Sequence, residues 1–578
     1  MVRPKAAKVL RVSPLAPTPS ATEPSWRRDL VLLFVLFAAL FAWRLGSSPL
    51  INPDEGRYAE VPREMVASGD WVTPRLNGVP YFEKPPLMYW AVAACEKYLG
   101  PSEWSARLAP ALLAIGGILL AYAAARKIYG RNAGFWTAIA LGTSLLYIAF
   151  VHLLGLDLAV SVLMSAALFC FILGVRERPG RGRRLLFWGL YAAAALTTLT
   201  KGLIGFLIPG AVMFLWLLLL GQWRRLRPFY LPSGLVIFMA IAAPWHVVMA
   251  QRNPGWAHFY FIYEQFQRFS DKTGHGRYYP AWFFVPILVL GLFPWTGFAW
   301  SAFRDALSGG WRRRAENADA WFFAIWAGFI FVFFSGSQSK LIPYILPVFP
   351  PIAVILGRWL AATLPLPDAF ERMKPGLRTF GFICGLLAAG ACVAVLRPGL
   401  IRDTASAVAL RPYALIIAAV LCVGGIRALI PRGGPGSARG ALIAMSATLV
   451  FLLGVLLLAM PIIDTRSTKD VALAARALVK PGDRVYHYHG FFHDFTYYTG
   501  ATVGLAKYTD ELELQFLDPA EKAARFIDDA EFRKEWAGAG RVFAVARTRD
   551  VGELFADPGF HYFMLMRGQH HYLFSNQP

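Results

Sequence analysis

Charge is scarce in this chain. Of its 578 residues only 16% are Asp, Glu, Lys or Arg, and 56% are hydrophobic; a typical soluble domain carries about 25% charged residues. The mean hydropathy is +0.45. A soluble core of this size would have to hide too much apolar surface, so a cytosolic enzyme is excluded. Disorder is excluded by the same balance, and a multi-pass membrane protein remains. Acid is scarcer than base: 36 Asp and Glu stand against 58 Lys and Arg, a net charge of +22. In a soluble chain that excess points to nucleic acid. In a polytopic one it marks arginine-rich cytoplasmic loops, so no nucleic-acid partner is expected. Cysteine is nearly lacking too. Cys95, Cys170, Cys384, Cys392 and Cys422 form no CxxC or Cys/His zinc spacing, and all but Cys95 lie deep in apolar runs, so disulfides are not expected to carry the fold. There is no internal repeat and no inverted symmetry of the kind many transporters show.

What is present is a series of apolar runs. After a basic tail over 1–29 the first runs from roughly 30 to 46. Others lie near 108–125, 132–151, 156–175, 185–200, 202–220, 233–250, 282–302, 319–336, 341–361, 377–396, 412–429 and 439–461. This predicts about thirteen transmembrane helices, with prolines at 343, 347, 350 and 351 kinking the tenth. Every second loop is basic, for example at Arg126 and Arg131, at Arg181, Arg183 and Arg184, and at Arg312, Arg313 and Arg314. By the positive-inside rule these loops and the N-terminus face the cytoplasm. The apolar stretch 85–99 is too short to span and reads as an interfacial helix on the outer face. From about 463 the composition turns polar. Strand-like runs at Arg484–Tyr488 and Arg541–Ala546, a helical stretch near 519–537 and paired short runs at 561–566 and 570–574 predict a small α/β domain over 463–578, outside the membrane domain 30–462.

The informative polar residues fall on the outer side. The long loop 47–105 holds Asp54, Glu55, Arg57, Tyr81, Glu83 and Lys84. Asp157 lies just inside the fourth span, Lys201 at the third outer turn, and Lys340 and Tyr344 at the fifth outer loop. The fourth outer loop, about 251–281, contributes His258, Glu264 and Arg268 among others. Carboxylates and cations at the mouth of an apolar bundle suit a ligand that is half lipid and half phosphate. Cations hold phosphate through charge-assisted bonds, apolar walls hold a chain, and a carboxylate orients an acceptor, binds a metal or acts as a base. Plainer readings stand beside these. Asp54-Glu55 also fits a solvated turn and helix cap, Glu83-Lys84 a surface ion pair, and Lys201 and Lys340 snorkelling lysines. Asp157 is harder to set aside, because a carboxylate in a span costs about 2.5–3.5 kcal/mol on insertion scales.

At Asp54-Glu55-Gly56-Arg57-Tyr58-Ala59-Glu60 and Tyr81-Phe82-Glu83-Lys84-Pro85-Pro86 the chain resembles the bacterial aminoarabinose transferases of lipid A. These belong to the polyprenyl-phosphate-dependent C-type membrane glycosyltransferases, which include the protein O-mannosyltransferases. The resemblance extends to Leu156-Asp157, to Thr200-Lys201-Gly202 and to Ser337-Gln338-Ser339-Lys340 through Tyr344. It implies a polytopic α-helical inner-membrane enzyme with outer-face juxtamembrane helices and a C-terminal periplasmic α/β domain. The donor would be 4-amino-4-deoxy-L-arabinose on undecaprenyl phosphate, and the acceptor a phosphate of lipid A. Asp54 and Asp157 match the catalytic acidic positions. Lys84 matches the donor-phosphate lysine, with Arg57, Arg268 and Tyr344 beside it. Glu55, Tyr81, Lys201 and Lys340 are substrate-binding candidates. Glu83 with His258 is the candidate pair for a divalent metal, zinc or magnesium/manganese, and no organic cofactor is expected. Two alternatives remain: transfer from another polyprenyl-linked sugar to a protein or glycan hydroxyl, and a lipid-linked sugar flippase. A flippase would place its ionisable groups near the midplane, whereas here they gather at one face.

Overall fold

A computed structural model describes residues 26–267, 279–397, 404–430, 437–463, 466–508 and 512–578. Each apolar run expected to span is helical within those residues. Eight helices among them are long and apolar enough to cross a membrane, or ten if two bent pairs each count as one span. The runs that fall short do so for legible reasons. α1 (Trp26–Ala42) has 17 residues. Two further helices, α2 (Asp54–Ser68) and α3 (Leu87–Leu99), precede the spanning helix α4 (Glu103–Tyr129). In the bent pair α5 (Arg131–Gly142) and α6 (Leu145–Val151), Ser144 bonds back to the Ala140 carbonyl and the Leu145 amide turns to Phe293, so the axis bends by 64°. α7 (Asp157–Arg176) is continuous, whereas α8 (Arg181–Lys201) carries Arg181, Arg183, Arg184 and Lys201, which dilute its hydropathy. α9 (Ile204–Leu220) again has 17 residues. The second bent pair, Ala281–Gly291 and Thr296–Ala306, turns by 102° around Pro294. The proline-rich tenth run opens as the 3₁₀ turn Ile342–Val348 before the helix Phe349–Thr363, as expected where proline removes backbone donors.

The outer segment 47–105 is more ordered than its sequence implies. Asp54 starts α2, and a short hairpin pairs β1 (Arg75–Leu76) with β2 (Val79–Pro80). α3 has 13 residues and buries Met88, Tyr89, Val92 and Ala93, so it lies against the bundle instead of crossing the membrane.

The C-terminal part is a six-stranded mixed sheet of order β5-β4-β3-β6-β8-β7. β3 (Arg484–Tyr488) runs parallel to β4 (Gly504–Ala506) and β6 (Val542–Arg547), and β5 (Phe526–Ile527) is a parallel edge strand. β7 (Phe563–Arg567) and β8 (His571–Ser575) form the expected antiparallel hairpin. The single helical stretch expected near 519–537 is instead two helices, Pro519–Arg525 and Asp529–Trp536, split by β5. Each has its own aspartate cap, Asp518 and Asp528, and two caps this close start two helices.

This domain sits on the outer segment. Leu50, Ala59 and Met88 share one apolar core with Phe495, Leu505, Phe543 and Leu573. Polar clasps line the seam. Asn52 donates to the Asp494 carboxylate and accepts from the Asp494 amide at 3.1 Å. Asn77 donates to the Val503 carbonyl at 3.0 Å and accepts from its amide at 2.8 Å. Tyr497 donates to Glu96 at 3.0 Å.

Beneath the seam lies a buried ion pair. Arg107 of α4 donates to both Glu55 carboxylate oxygens at 2.9 and 2.7 Å, and to the carbonyls of Leu45, Ser48 and Pro49. Glu55 in turn accepts from the amides of Ile51 at 3.0 Å and Leu154 at 2.6 Å. Breaking such a pair strands a buried charge, at a cost of about 3–5 kcal/mol. Glu55→Ala is therefore expected to lower the melting temperature of the detergent-purified protein sharply; an unchanged melting curve would show that the pair does not hold the outer segment.

Burial pushes the carboxyl of Glu96 up to about 8. The folded state then binds a proton that the unfolded state, near 4.5, has released, so stability falls as pH rises through this window. His571, pushed down to about 4 by burial, acts in the opposite sense only below its ordinary 6.5. Melting temperature is accordingly expected to fall from pH 6.5 to 8, and Glu96→Gln to flatten that slope and raise the value at pH 8. A Glu96→Gln protein with the parent's slope would refute the assignment.

Candidate active site

Two helix starts place the two carboxylates predicted as catalytic. Asp54 lies in the first turn of α2 and Asp157 in the first turn of α7, where the helix dipole favours negative charge. The Glu55 bond to the Leu154 amide ties these two starts together. The Asp54 side chain is 67% exposed and lies 3.9 Å from the Arg57 guanidinium, which is mostly covered. Asp157 is ion-paired with Lys201 at the end of α8. The Lys201 ammonium in turn lies 4.4 Å from the centroid of the Tyr344 ring. Lys201 is thus held by a carboxylate and a ring and does not reach for the membrane surface.

Tyr58 of α2 is half-buried, and its phenol is pushed far above the ordinary tyrosine range, first by loss of solvent and also by the charges of Asp54, Asp157 and Glu83. The Tyr58 and Tyr89 rings stack with centroids 6.2 Å apart. The hydroxyls of Tyr81 and Tyr89 are enclosed and have no hydrogen-bond partner among the described residues. Burial pushes the Tyr81 phenol well above its ordinary range, and the nearby Glu83 charge adds to the shift.

Lys84 is held from two directions. Its ammonium donates to the Glu83 carbonyl at 3.1 Å and to the Glu264 carboxylate at 3.1 Å, and the Glu83 carboxylate lies 3.7 Å away. Glu264 comes from the π-helix Phe259–Gln267 in the fourth outer segment. Phe82 packs against Phe259 and Phe516, with centroids 6.5 and 4.7 Å apart, and so fixes the approach. Glu264 had no role in the sequence reading. The one signal for it is a lone carboxylate in the otherwise apolar and aromatic run 259–264.

Two expected substrate contacts are corrected. Glu55 is 2% exposed and committed to Arg107 and two backbone amides, so it cannot face a ligand. Lys340 is 3% exposed and donates to the carbonyls of Tyr279 and Ser337, which makes it a clamp between two loops. Of the expected metal pair, Glu83 flanks Lys84 and His258 is exposed at the end of the short helix Trp256–His258. Among the described residues no group of three or more His, Cys, Asp or Glu is placed to hold a metal ion. Arg268 lies outside the described residues.

The arrangement meets known proteins at three levels. Residues 83–247 match the family model described as dolichyl-phosphate-mannose-protein mannosyltransferase. The undecaprenyl phosphate-alpha-4-amino-4-deoxy-L-arabinose arabinosyl transferase of Pectobacterium atrosepticum is 32% identical over 373 residues, which are 64% of this chain and 66% of that protein. Its namesake in Pseudomonas paraeruginosa is 30% identical over 380 residues, 64% of this chain and 67% of that protein. The match thus spans just under two thirds of the length of the first of these relatives. The crystal structure of ArnT from Cupriavidus metallidurans bound to undecaprenyl phosphate superposes with a TM-score of 0.78 at 28% identity, covering 96% of this chain and 98% of that one.

Proposed function

The chain belongs to the family of undecaprenyl phosphate-alpha-4-amino-4-deoxy-L-arabinose arabinosyl transferases, and on that premise we propose that it moves 4-amino-4-deoxy-L-arabinose from undecaprenyl phosphate to a phosphate of lipid A. The observation that supports this reading is that the helix starts bearing the Asp54–Arg57 and Asp157–Lys201 pairs are tied together through the Glu55 bond to the Leu154 amide. Lys84 and Lys201 stand in the adjoining ion pairs.

In the transfer, the bond from the anomeric carbon to the donor phosphate breaks, and its electron pair leaves with undecaprenyl phosphate. A phosphate oxygen of the acceptor forms the new bond. Charge grows on the leaving phosphate, where a fixed cation lowers the barrier most. An ammonium has three N–H donors. Lys84 gives two of them to Glu83 and Glu264 and turns the third to the donor phosphate. Arg57 supplies the second positive charge. The acceptor phosphate is already ionised near neutral pH, so Asp54 is not needed to deprotonate it. Its exposed carboxylate, beside Arg57, instead binds the sugar's ammonium group or steadies positive charge on the ring. Asp157 does the same from α7, oriented by Lys201, while Tyr81 offers its hydroxyl to the substrate. Glu83 and Glu264 flank the Lys84 ammonium, and no step is routed through a divalent ion.

The sidedness follows from charge. Asp157 starts α7 and Lys201 ends α8, while Arg176 and Arg181 lie at the opposite ends of the same helices. Asp29 in α1 joins Arg126 and Arg131 at that arginine-rich end. By the positive-inside rule that end belongs in the cytoplasm, which supports a site and a C-terminal domain on the periplasmic face of the inner membrane.

Purified full-length protein in detergent, given the donor and lipid A, is expected to add the amino sugar to lipid A, read by mass spectrometry. Lys84→Ala and Asp157→Asn are expected to slow transfer on the order of a hundredfold. Tyr344→Phe is expected to stay near the parent, because its ring still faces the ammonium. Unmodified lipid A, or Lys84→Ala at the parent rate, would end this reading.

A further inference from the structure

A cavity of about 410 Å³ lies between the C-terminal sheet and the segment that leads into α2. Asn52 and Pro53 form one wall, and neither Lys84 nor Lys201 lines it. The opposite wall carries Arg547, Thr548, Arg549 and His570, with Arg466 at the side, and among the described residues no Asp or Glu lines it. The volume falls in the ordinary range for small-ligand sites, roughly 300–1,000 Å³.

The wall is built, not incidental. The Thr548 amide donates to the His570 carbonyl at 3.0 Å, which locks the turn after β6 to the β7–β8 hairpin. The Arg547 guanidinium lies over the Phe492 ring, 5.5 Å from its centroid. Arg549 lies 3.5 Å from Asp550 and keeps 72% of its side chain exposed. Nε2 of His570 is enclosed and has no hydrogen-bond partner among the described residues. Asp494, next in sequence to the lining His493, has its carboxylate committed to Asn52, Ser467 and Thr468. His571, also lining the cavity, is pushed down to about 4, first by burial and then by the Arg547 charge.

Planar guanidiniums beside a hydroxyl and an imidazole match the three acceptor oxygens and near-double charge of a phosphate monoester. We propose that this cavity binds a phosphate monoester. Resting on the transfer reading above, its source in the reaction is the acceptor headgroup, held against Asn52 and Pro53 so that it meets Asp54, the next residue along the chain.

The test uses full-length protein in detergent and titrates inorganic phosphate by calorimetry, in the parent and in Lys84→Ala, which removes the donor site from the signal. Replacing both Arg547 and Arg549 by Gln is expected to weaken phosphate roughly tenfold or more. The same change is expected to raise KM for lipid A by a similar factor, with KM for the undecaprenyl-linked donor and kcat unchanged. Arg549→Gln alone, at an exposed position, gives a milder loss if the double variant folds poorly, and Arg547→Lys retains part of the affinity. Unchanged phosphate affinity in the variants overturns the site, whatever becomes of the transfer reading. Lost phosphate affinity with an unchanged KM for lipid A overturns the headgroup as source and leaves a free-phosphate site. Because the titration needs no turnover, failure of the transfer reading leaves it decisive.

Discussion

The Glu55–Arg107 pair is the reference point from which the reactive residues are positioned. A guanidinium has five N–H donors, and all are committed: two bonds to Glu55 and one each to Leu45, Ser48 and Pro49. That saturation is what makes a buried charge tolerable, since desolvation must be offset by close geometry and complete hydrogen bonding. Glu55 is adjacent to Asp54 and accepts from Leu154, shortly before Asp157. Packing in lipid supplies no hydrophobic drive to set two helix ends in register. A saturated ionic knot does so.

Around that knot, the cations of the site are each held by a carboxylate: Arg57 with Asp54, Lys201 with Asp157, Lys84 with Glu264. The pairing keeps the chamber from accumulating charge at the membrane surface, where uncompensated charge is costly. It also means that Glu264 holds the Lys84 ammonium as a fixed donor and not a loose one.

Much of this was legible in the sequence. The apolar runs gave helices at the expected places because length and hydropathy alone decide spanning segments. Asp157 stood out because a carboxylate beside an apolar run is expensive, and Arg484–Tyr488 emerged as a strand to the residue. Glu55 was not legible. In the pair Asp54-Glu55, local sequence cannot say which carboxylate faces the chamber and which turns inward to Arg107, 52 residues away. Lys340 failed for the same reason, since its carbonyl partners have no sequence signature. Glu264 and the seam clasps rest on contacts 180 and 442 residues apart in the chain. The arginine wall of the cavity is contributed by a turn that only the folded sheet brings near Asn52.

The apolar core shared by Leu50, Ala59 and Met88 with Phe495, Leu505, Phe543 and Leu573 has a further consequence. The sheet is no appendage on a tether, free to swing away while substrates come and go. It is packed into the same core as the helix that begins at Asp54, so a change of side chain inside the sheet is felt at that helix start.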